Sequence, residues 1–230
     1  MVLPPADARL RLRISAMSGG VKVTAERRSD VLVDSGGSAA ASADGAVEIR
    51  TERASSSLDV RCPEDADVMI GTRSGRVELV GRLGTVGITS QSGSIRVGTV
   101  AEADLRTVSG TVKLDGCDGR CRVSTTSGRI TVGATGDTEI STTSGSVEIG
   151  NVEGAVQVRS VSGTVTVASS ARGPVKASTV SGSITIRLPP GIRPTVRSSG
   201  RGTVKSRFEP GDDVVIDIAT VSGTVQLVPT

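Results

Sequence analysis

The sequence predicts an all-β fold, a single-domain β-solenoid with about 17–18 residues per coil. Three observations lead to this prediction. A Ser-Gly dipeptide recurs seven times between Ser74 and Ser181, at intervals of 17 to 19 residues, and a fixed period near 20 is typical of stacked repeats. Alternating apolar and polar residues follow each copy, as in half-buried strands. The chain has 29 glycines and one aromatic residue, Phe208, which favours a narrow interior with frequent turns.

Residues 1–71 are predicted to form degenerate N-terminal coils. Leu10, Leu12 and Ile14 alternate with charged residues, and similar short alternations recur as far as Ile70. Residues 35–46, with the sequence SGGSAAASADGA, are small and polar and are predicted to form a flexible loop.

Residues 72–187 are predicted to form the regular Ser-Gly coils, each made of two short strands and two turns. In residues 107–124, Val112 and Leu114 form one inward pair, Cys121 and Val123 form another, and a glycine-rich turn separates them. Hairpins would also give two strands per repeat, but different turns would then have to restore the same register each time. Stacked coils bring equivalent residues into columns, and they are stable only in series.

Residues 188–230 are predicted to form a C-terminal coil with an insertion. The insertion contains four prolines and Phe208, which is expected to cap the open end of the solenoid. The final segment repeats the motif at Ser222-Gly223.

The Ser-Gly dipeptides are predicted to be structural corners, in which serine satisfies the turn and glycine permits it. These residues are Ser74, Gly75, Ser92, Gly93, Ser109, Gly110, Ser127, Gly128, Ser144, Gly145, Ser162, Gly163, Ser181, Gly182, Ser222 and Gly223.

The two positions before each corner serine also recur in every repeat, so in stacked coils the residues at each position form a column. The column two positions before the serine contains only Ser and Thr, points inward by alternation, and is predicted to be a ladder of hydrogen-bonded hydroxyls. The column directly before the serine points outward and is predicted to be either a lateral contact strip or an ordinary solvated strand face. The strip residues are Val108, Thr126, Thr143, Val161 and Val180.

The residue types present do not favour an enzyme. The chain has no His, so no conventional base is available to activate the corner serines, and Lys113 is expected to point outward. The three cysteines, Cys62, Cys117 and Cys121, lack further metal-ligand partners at suitable spacing, and two of them fall at core positions. No catalytic residue, metal site or cofactor is predicted.

The charges indicate a mixed surface. Lys and Arg number 27 and Asp and Glu 24, which gives a net charge of +3, and the two signs are interspersed. Nucleic-acid binding is not expected, because basic clusters and stacking aromatics are missing. Charges at Arg9, Arg11 and Arg13 interrupt the N-terminal segment, so neither a signal peptide nor a membrane span is expected. The chain as given is therefore expected to be cytoplasmic, and to reach the cell surface only if an export signal is missing from it.

The repeated [T/S]-x-S-G-x-[V/I]-x-[V/I/L] units resemble the DUF4097 family, the β-strand-repeat proteins of bacteria that are proposed to be adhesins. The N-terminal LRLRISAMSGGVKVTA and the closing IATVSGTVQLV carry the same resemblance, which covers nearly the whole chain. Bactofilins are similar more distantly. The resemblance implies a β-helix, and it brings no catalytic motif.

The sequence as a whole predicts a non-enzymatic structural or interaction protein, a β-solenoid scaffold whose stacked faces bind a partner protein or a second copy of the chain. One alternative is an adhesin or carbohydrate-binding surface module, which the family resemblance suggests. Another is a bactofilin-like filament in which coil ends stack head to tail.

Overall fold

The chain is built from β-strands that pair mainly in parallel. The computed structural model describes residues 9–42, 45–51, 53, 55–169 and 173–230, and these residues form no helix. Their contacts group them into two compact units, Met1–Asp118 and Gly119–Thr230. The assignment of residues 1–230 to one domain stays a prediction.

The first unit contains eight strands. They are β1 (Arg11–Ala16), β2 (Val21–Glu26), β3 (Leu32–Ser35), β4 (Gly37–Ala41), β5 (Val47–Thr51), β6 (Leu58–Pro63), β7 (Asp67–Thr72) and β8 (Arg76–Cys117). β8 is 42 residues long because the chain bends at glycine corners without leaving the strand ladder. Gly93 and Gly110, which form two of these corners, have φ angles of 122° and 126°.

The N-terminal strands lie between two other coils of the first unit. β1 pairs in parallel with both β5 and β7, and β2 pairs in parallel with both β6 and β8. Leu12, for example, has Val47 as its register partner on one side and Val68 on the other. The N-terminal coil is therefore flanked on both sides by coils that follow it in sequence.

Strands β3 and β4 cover the edge of the coil formed by β5 and β6. β4 pairs antiparallel with β5, and β3 pairs antiparallel with β6. The prediction of a flexible loop over residues 35–46 was therefore wrong for residues 37–41; residues 43 and 44 lie outside the described part. Strand pairing uses backbone groups, so small side chains at Ala39 and Ala40 do not prevent it.

The second unit contains seven strands, which form regular coils in parallel register. They are β9 (Cys121–Thr135), β10 (Thr138–Val152), β11 (Val156–Ser169), β12 (Val175–Leu188), β13 (Pro194–Gly200), β14 (Thr203–Ser206) and β15 (Val214–Pro229). β10 pairs with β9 and β11, and β12 pairs with β11 and β15, so that each corner serine is the register partner of the next. The predicted all-β solenoid is confirmed.

The core of the second unit consists of columns of aliphatic side chains. Val147, Val165, Ile184 and Val225 are register neighbours in successive coils, and each is at most 2% exposed. β-branched residues suit this position because they pack well on a pleated strand. The inward columns predicted from alternation are confirmed.

The C-terminal strand lies inside the second unit. β15 pairs in parallel with β12 on one side and with β13 and β14 on the other. The predicted insertion forms the outer coil, which consists of β13 and β14. After this coil the chain turns back, and β15 lies between the outer coil and β12. Phe208, half-buried, follows β14, and its role as a cap stays a prediction.

Replacing a stacked corner glycine should destabilise the protein strongly. Gly163 has a φ of 135°, and a Cβ there would overlap the carbonyl oxygen of Gly145. We expect Gly163→Ala to lower the free energy of unfolding by at least ~3 kcal/mol, because backbone strain and a steric clash add. Gly71→Ala is the matched control, since a Cβ at Gly71 meets no atom within 4 Å. Urea denaturation measures both, and equal losses would contradict the close stacking of corners.

Candidate functional site

The corner serines point toward the backbone of the neighbouring coil. The Ser162 hydroxyl donates to the Thr143 carbonyl oxygen at 3.4 Å, and the Ser222 hydroxyl donates to the Val180 carbonyl oxygen at 3.4 Å. In the first unit the Ser109 hydroxyl makes the same bond to the Gln91 carbonyl oxygen at 3.5 Å. These long bonds connect one coil to the next, and they differ from the predicted bonds to turn amides.

A serine nucleophile needs a base within hydrogen-bond reach. Lys113, the lysine nearest in sequence to the corner at Ser109, pairs with Asp115 at 3.3 Å. The hydroxyls of Ser109, Ser162 and Ser222 bond to backbone carbonyls, and these bonds tie one coil to the next.

The inner Ser/Thr column has the predicted direction but not the predicted partners. Its members are buried, and all but Thr220 donate to the carbonyl oxygen two residues later in their own coil, as Thr125 does to Ser127 at 3.1 Å and Thr142 to Ser144 at 3.2 Å. The prediction of a ladder between coils was therefore wrong. Each hydroxyl instead bonds to a backbone carbonyl at its own corner.

Thr220 is the exception in this column. It is 3% exposed, and its hydroxyl has no hydrogen-bond partner among the described residues. A buried hydroxyl without a partner has lost its bonds to water and gained nothing in return. The coil that contains β15 therefore has a buried hydroxyl without a hydrogen bond at this position, whereas the equivalent hydroxyls of the preceding coils are bonded.

Three exposed valines form a continuous row on the second unit. Val161, Val180 and Val221 occupy equivalent places in β11, β12 and β15, directly before the corner serines, and are 48%, 48% and 61% exposed. We call these three residues the valine row. Thr126 and Thr143 continue it on β9 and β10, and both are exposed.

The residues predicted for the contact strip are exposed and fall in both units, and their role as a contact surface stays a prediction. Val108 is 53% exposed and belongs to the first unit, whereas the other four predicted residues stand in one column of the second. Sequence reasoning missed Val221, although its motif TVSG repeats that of residues 179–182. The two copies begin 41 positions apart, and the corner at Ser222-Gly223 was recognised although the residue before it was not added to the strip.

A charged column runs beside the valine row. Arg122 contacts Glu139 at 2.6 Å, and Arg159 contacts the same carboxylate at 3.2 Å, so one Glu pairs with cations of the coils on both sides. The hydrogen bond from Arg122 lowers the pKa of the Glu139 carboxyl from its ordinary value. These side chains are well exposed to water, where ion pairs stabilise a fold only slightly.

The cysteines are core residues. Cys117 and Cys121 are 2% and 0% exposed, as predicted for small interior side chains. Burial raises the pKa of the Cys62 thiol to about 12, so this group stays protonated at neutral pH and is a poor nucleophile or metal ligand. Within the described part of the chain, no three His, Cys, Asp or Glu side chains are grouped as a metal site would require.

Comparisons with known proteins agree with this architecture. The model of the Toastrack DUF4097 family matches residues 2–149 and 134–227. A crystal structure of a proposed adhesin from Parabacteroides distasonis is similar with a TM-score of 0.57 at 15% identity. Another, from Bacteroides fragilis, is similar with a TM-score of 0.52 at 12% identity. Both comparisons cover 96% of this chain and 93% of the other, and at these identities they show the fold alone.

No curated protein matches the chain. In the part of the chain that the structure describes, no helix has the length and apolarity needed to cross a membrane.

Replacing threonine by valine should affect two equivalent positions in opposite ways. Thr142→Val removes a hydrogen bond to the Ser144 carbonyl, so we expect the free energy of unfolding to fall by about 1 kcal/mol. Thr220→Val removes a buried hydroxyl that has no partner, so we expect no loss and a gain of up to ~1 kcal/mol. Denaturant titration of the two variants tests this contrast. An equal loss in both would show that Thr220 is satisfied in solution.

Proposed function

Because the chain belongs to the Toastrack DUF4097 family, we propose that it is a non-enzymatic interaction protein whose solenoid faces associate with a second copy of itself. The observation that supports this most strongly is the valine row. Three large apolar side chains in adjacent coils are about half exposed, on a column that is otherwise uncharged. Such a stripe gains free energy when another surface covers it.

A second copy is a well-matched partner for the valine row. Equivalent side chains in neighbouring coils lie ~4.8 Å apart, and an identical row has the same spacing. Two rows related by a two-fold axis would place each valine between valines of the other copy, as in a self-complementary interface. The threonine methyl groups of Thr126 and Thr143 extend the contact.

The free energy gained by covering the valine row indicates weak association. Covering the exposed half of a valine stabilises by about 0.7–1 kcal/mol, so the six valines of two copies contribute ~4–6 kcal/mol. Ordering two molecules costs a comparable amount, and a stable dimer buries ~800 Å² on each partner. The row therefore serves as the apolar centre of a reversible contact that also needs its polar neighbours.

The proposal that the chain is not an enzyme is supported by its residue chemistry. The chain has no His, and the hydroxyls of Ser109, Ser162 and Ser222 bond to backbone carbonyls. The Cys62 thiol is buried and protonated. These features support a binding role for the exposed faces.

Adhesion is a second candidate, favoured by the two similar structures of proposed adhesins. In that role, the same exposed faces would contact a protein on another surface, and the chain would be exported. Cell fractionation separates the candidates, because a protein found only in cytosolic fractions cannot act as an adhesin.

A charge in the valine row should abolish self-association. We expect Val180→Asp to remain monomeric at concentrations where the wild type forms dimers, because each interface would then bury a carboxylate among valines. Ser183→Asp is the matched control, since Ser183 is exposed on the strand after the corner. Sedimentation velocity at increasing concentration measures the difference. A wild type that stays monomeric at millimolar concentration, or dimers unaffected by Val180→Asp, would overturn the proposal.

A further inference from the structure

The outer coil of the second unit ends in an open strand edge. β13 and β14 pair with β15 on one side, and no described strand pairs with their other side. Half of the backbone N–H and C=O groups of such a strand point away from the sheet and are free to pair with another chain.

This edge is strongly basic. Arg197, Arg201, Lys205 and Arg207 lie on or beside β13 and β14, and none of them is within 4 Å of a carboxylate in the described residues. Arg193, just before β13, does pair with Asp213, at 3.6 Å. The outer coil therefore carries four cations that form no ion pair within 4 Å among the described residues, and the carboxylate opposite Arg197 is that of Asp217 on β15.

The side-chain rows of the second unit indicate what would fit next to β13. Along one outward row, Lys176, Asp217 and Arg197 are register neighbours, so the charge alternates from positive to negative to positive. Opposite charges directly across two strands attract each other, whereas like charges repel. An acidic side chain is thus the favourable neighbour beyond Arg197.

The inward side of the edge is incompletely covered. Val196 and Val204 are half-buried, whereas their register partners Ile216 and Val225 are fully buried. The next strand in the stack would bury these two valines if it presented aliphatic residues inward.

We propose that the free edge of β13 binds an extended segment of a partner protein in which acidic and aliphatic residues alternate. The segment adds a strand to the coil by backbone hydrogen bonds, places an acidic side chain beside Arg197, and covers Val196 with an aliphatic one. A depression of about 420 Å³ beside this edge is lined by three cations, Arg159, Lys176 and Arg197, and by one carboxylate, Asp217.

The same charges make β13 of a second copy a poor occupant, since Arg197 and Arg201 would face like charges. A nucleic acid would use the cations but not the backbone groups or the inward valines, and the chain has a single aromatic residue, Phe208, where a base-stacking platform uses several. The proposed strand site uses the free edge of β13, whereas the valine row lies on β11, β12 and β15, so the two proposals are tested by different variants.

Peptide binding to the full chain tests the proposal. The probe is a fluorescent peptide of sequence Thr-Val-Glu-Val-Glu-Ser-Gly, measured by anisotropy against two controls. In one control lysine replaces both glutamates, and in the other proline replaces the second valine and so removes a backbone donor. We expect each control to bind at least tenfold more weakly. Arg197→Glu should reverse the preference between the glutamate and lysine peptides.

Three results would overturn the proposal. The proline peptide could bind as well as the original, which would show attraction by charge alone. An unlabelled single-stranded DNA could bind more tightly than the glutamate peptide, which would identify a polyanion site. Arg197→Glu could leave the preference unchanged although its circular dichroism matches the wild type. If Arg197→Glu fails to fold, Arg197→Gln replaces it, and this variant should lose the preference without reversing it.

Discussion

The whole architecture depends on the close approach of backbone at the Ser-Gly corners. The glycine of each corner lies directly against the glycine of the neighbouring coil, as Gly145, Gly163 and Gly182 do in the second unit. No side chain fits between them, so every coil must turn at the same place. Once the turns are aligned, the strands on both sides are in register, and like residues form columns. The interior between the columns is then narrow enough for Val, Ile and Leu to fill it without aromatic side chains.

Much of this could be predicted from the sequence, because the period of the repeat gives the length of a coil and the alternation of apolar residues gives its inward positions. Alternation identified the inward faces of β10, β11 and β12, and the repeated Thr before each corner was correctly placed inside. Alternation does not say which strand lies beside which. The positions of β1 between β5 and β7, and of β15 between β12 and β13, were therefore not predictable from periodicity. β4 was missed because its alanines carry no alternation, and its backbone alone forms the pairing.

The outward columns are less predictable because no packing constraint selects them. The spacing of the repeat places four of the strip residues in one column: Thr126, Thr143, Val161 and Val180. Only the structure shows that these side chains are exposed and are not covered by another part of the chain. The partners of the inner hydroxyls were mistaken for a similar reason: spacing places a side chain on a face but does not determine its rotamer. The two surfaces proposed for binding, the valine row and the basic edge of β13, are both ones that the repeat leaves free.

Hydrogen exchange tests most directly the claim that β15 lies inside the second unit, between β12 and β13. Amides paired within a stack exchange only when the stack opens, whereas those of an outer strand open locally. If the account is correct, peptides covering Val214–Pro229 exchange as slowly as those covering Val175–Leu188, and peptides covering Pro194–Gly200 exchange at least tenfold faster. Exchange of Val214–Pro229 as fast as that of Pro194–Gly200 would contradict it.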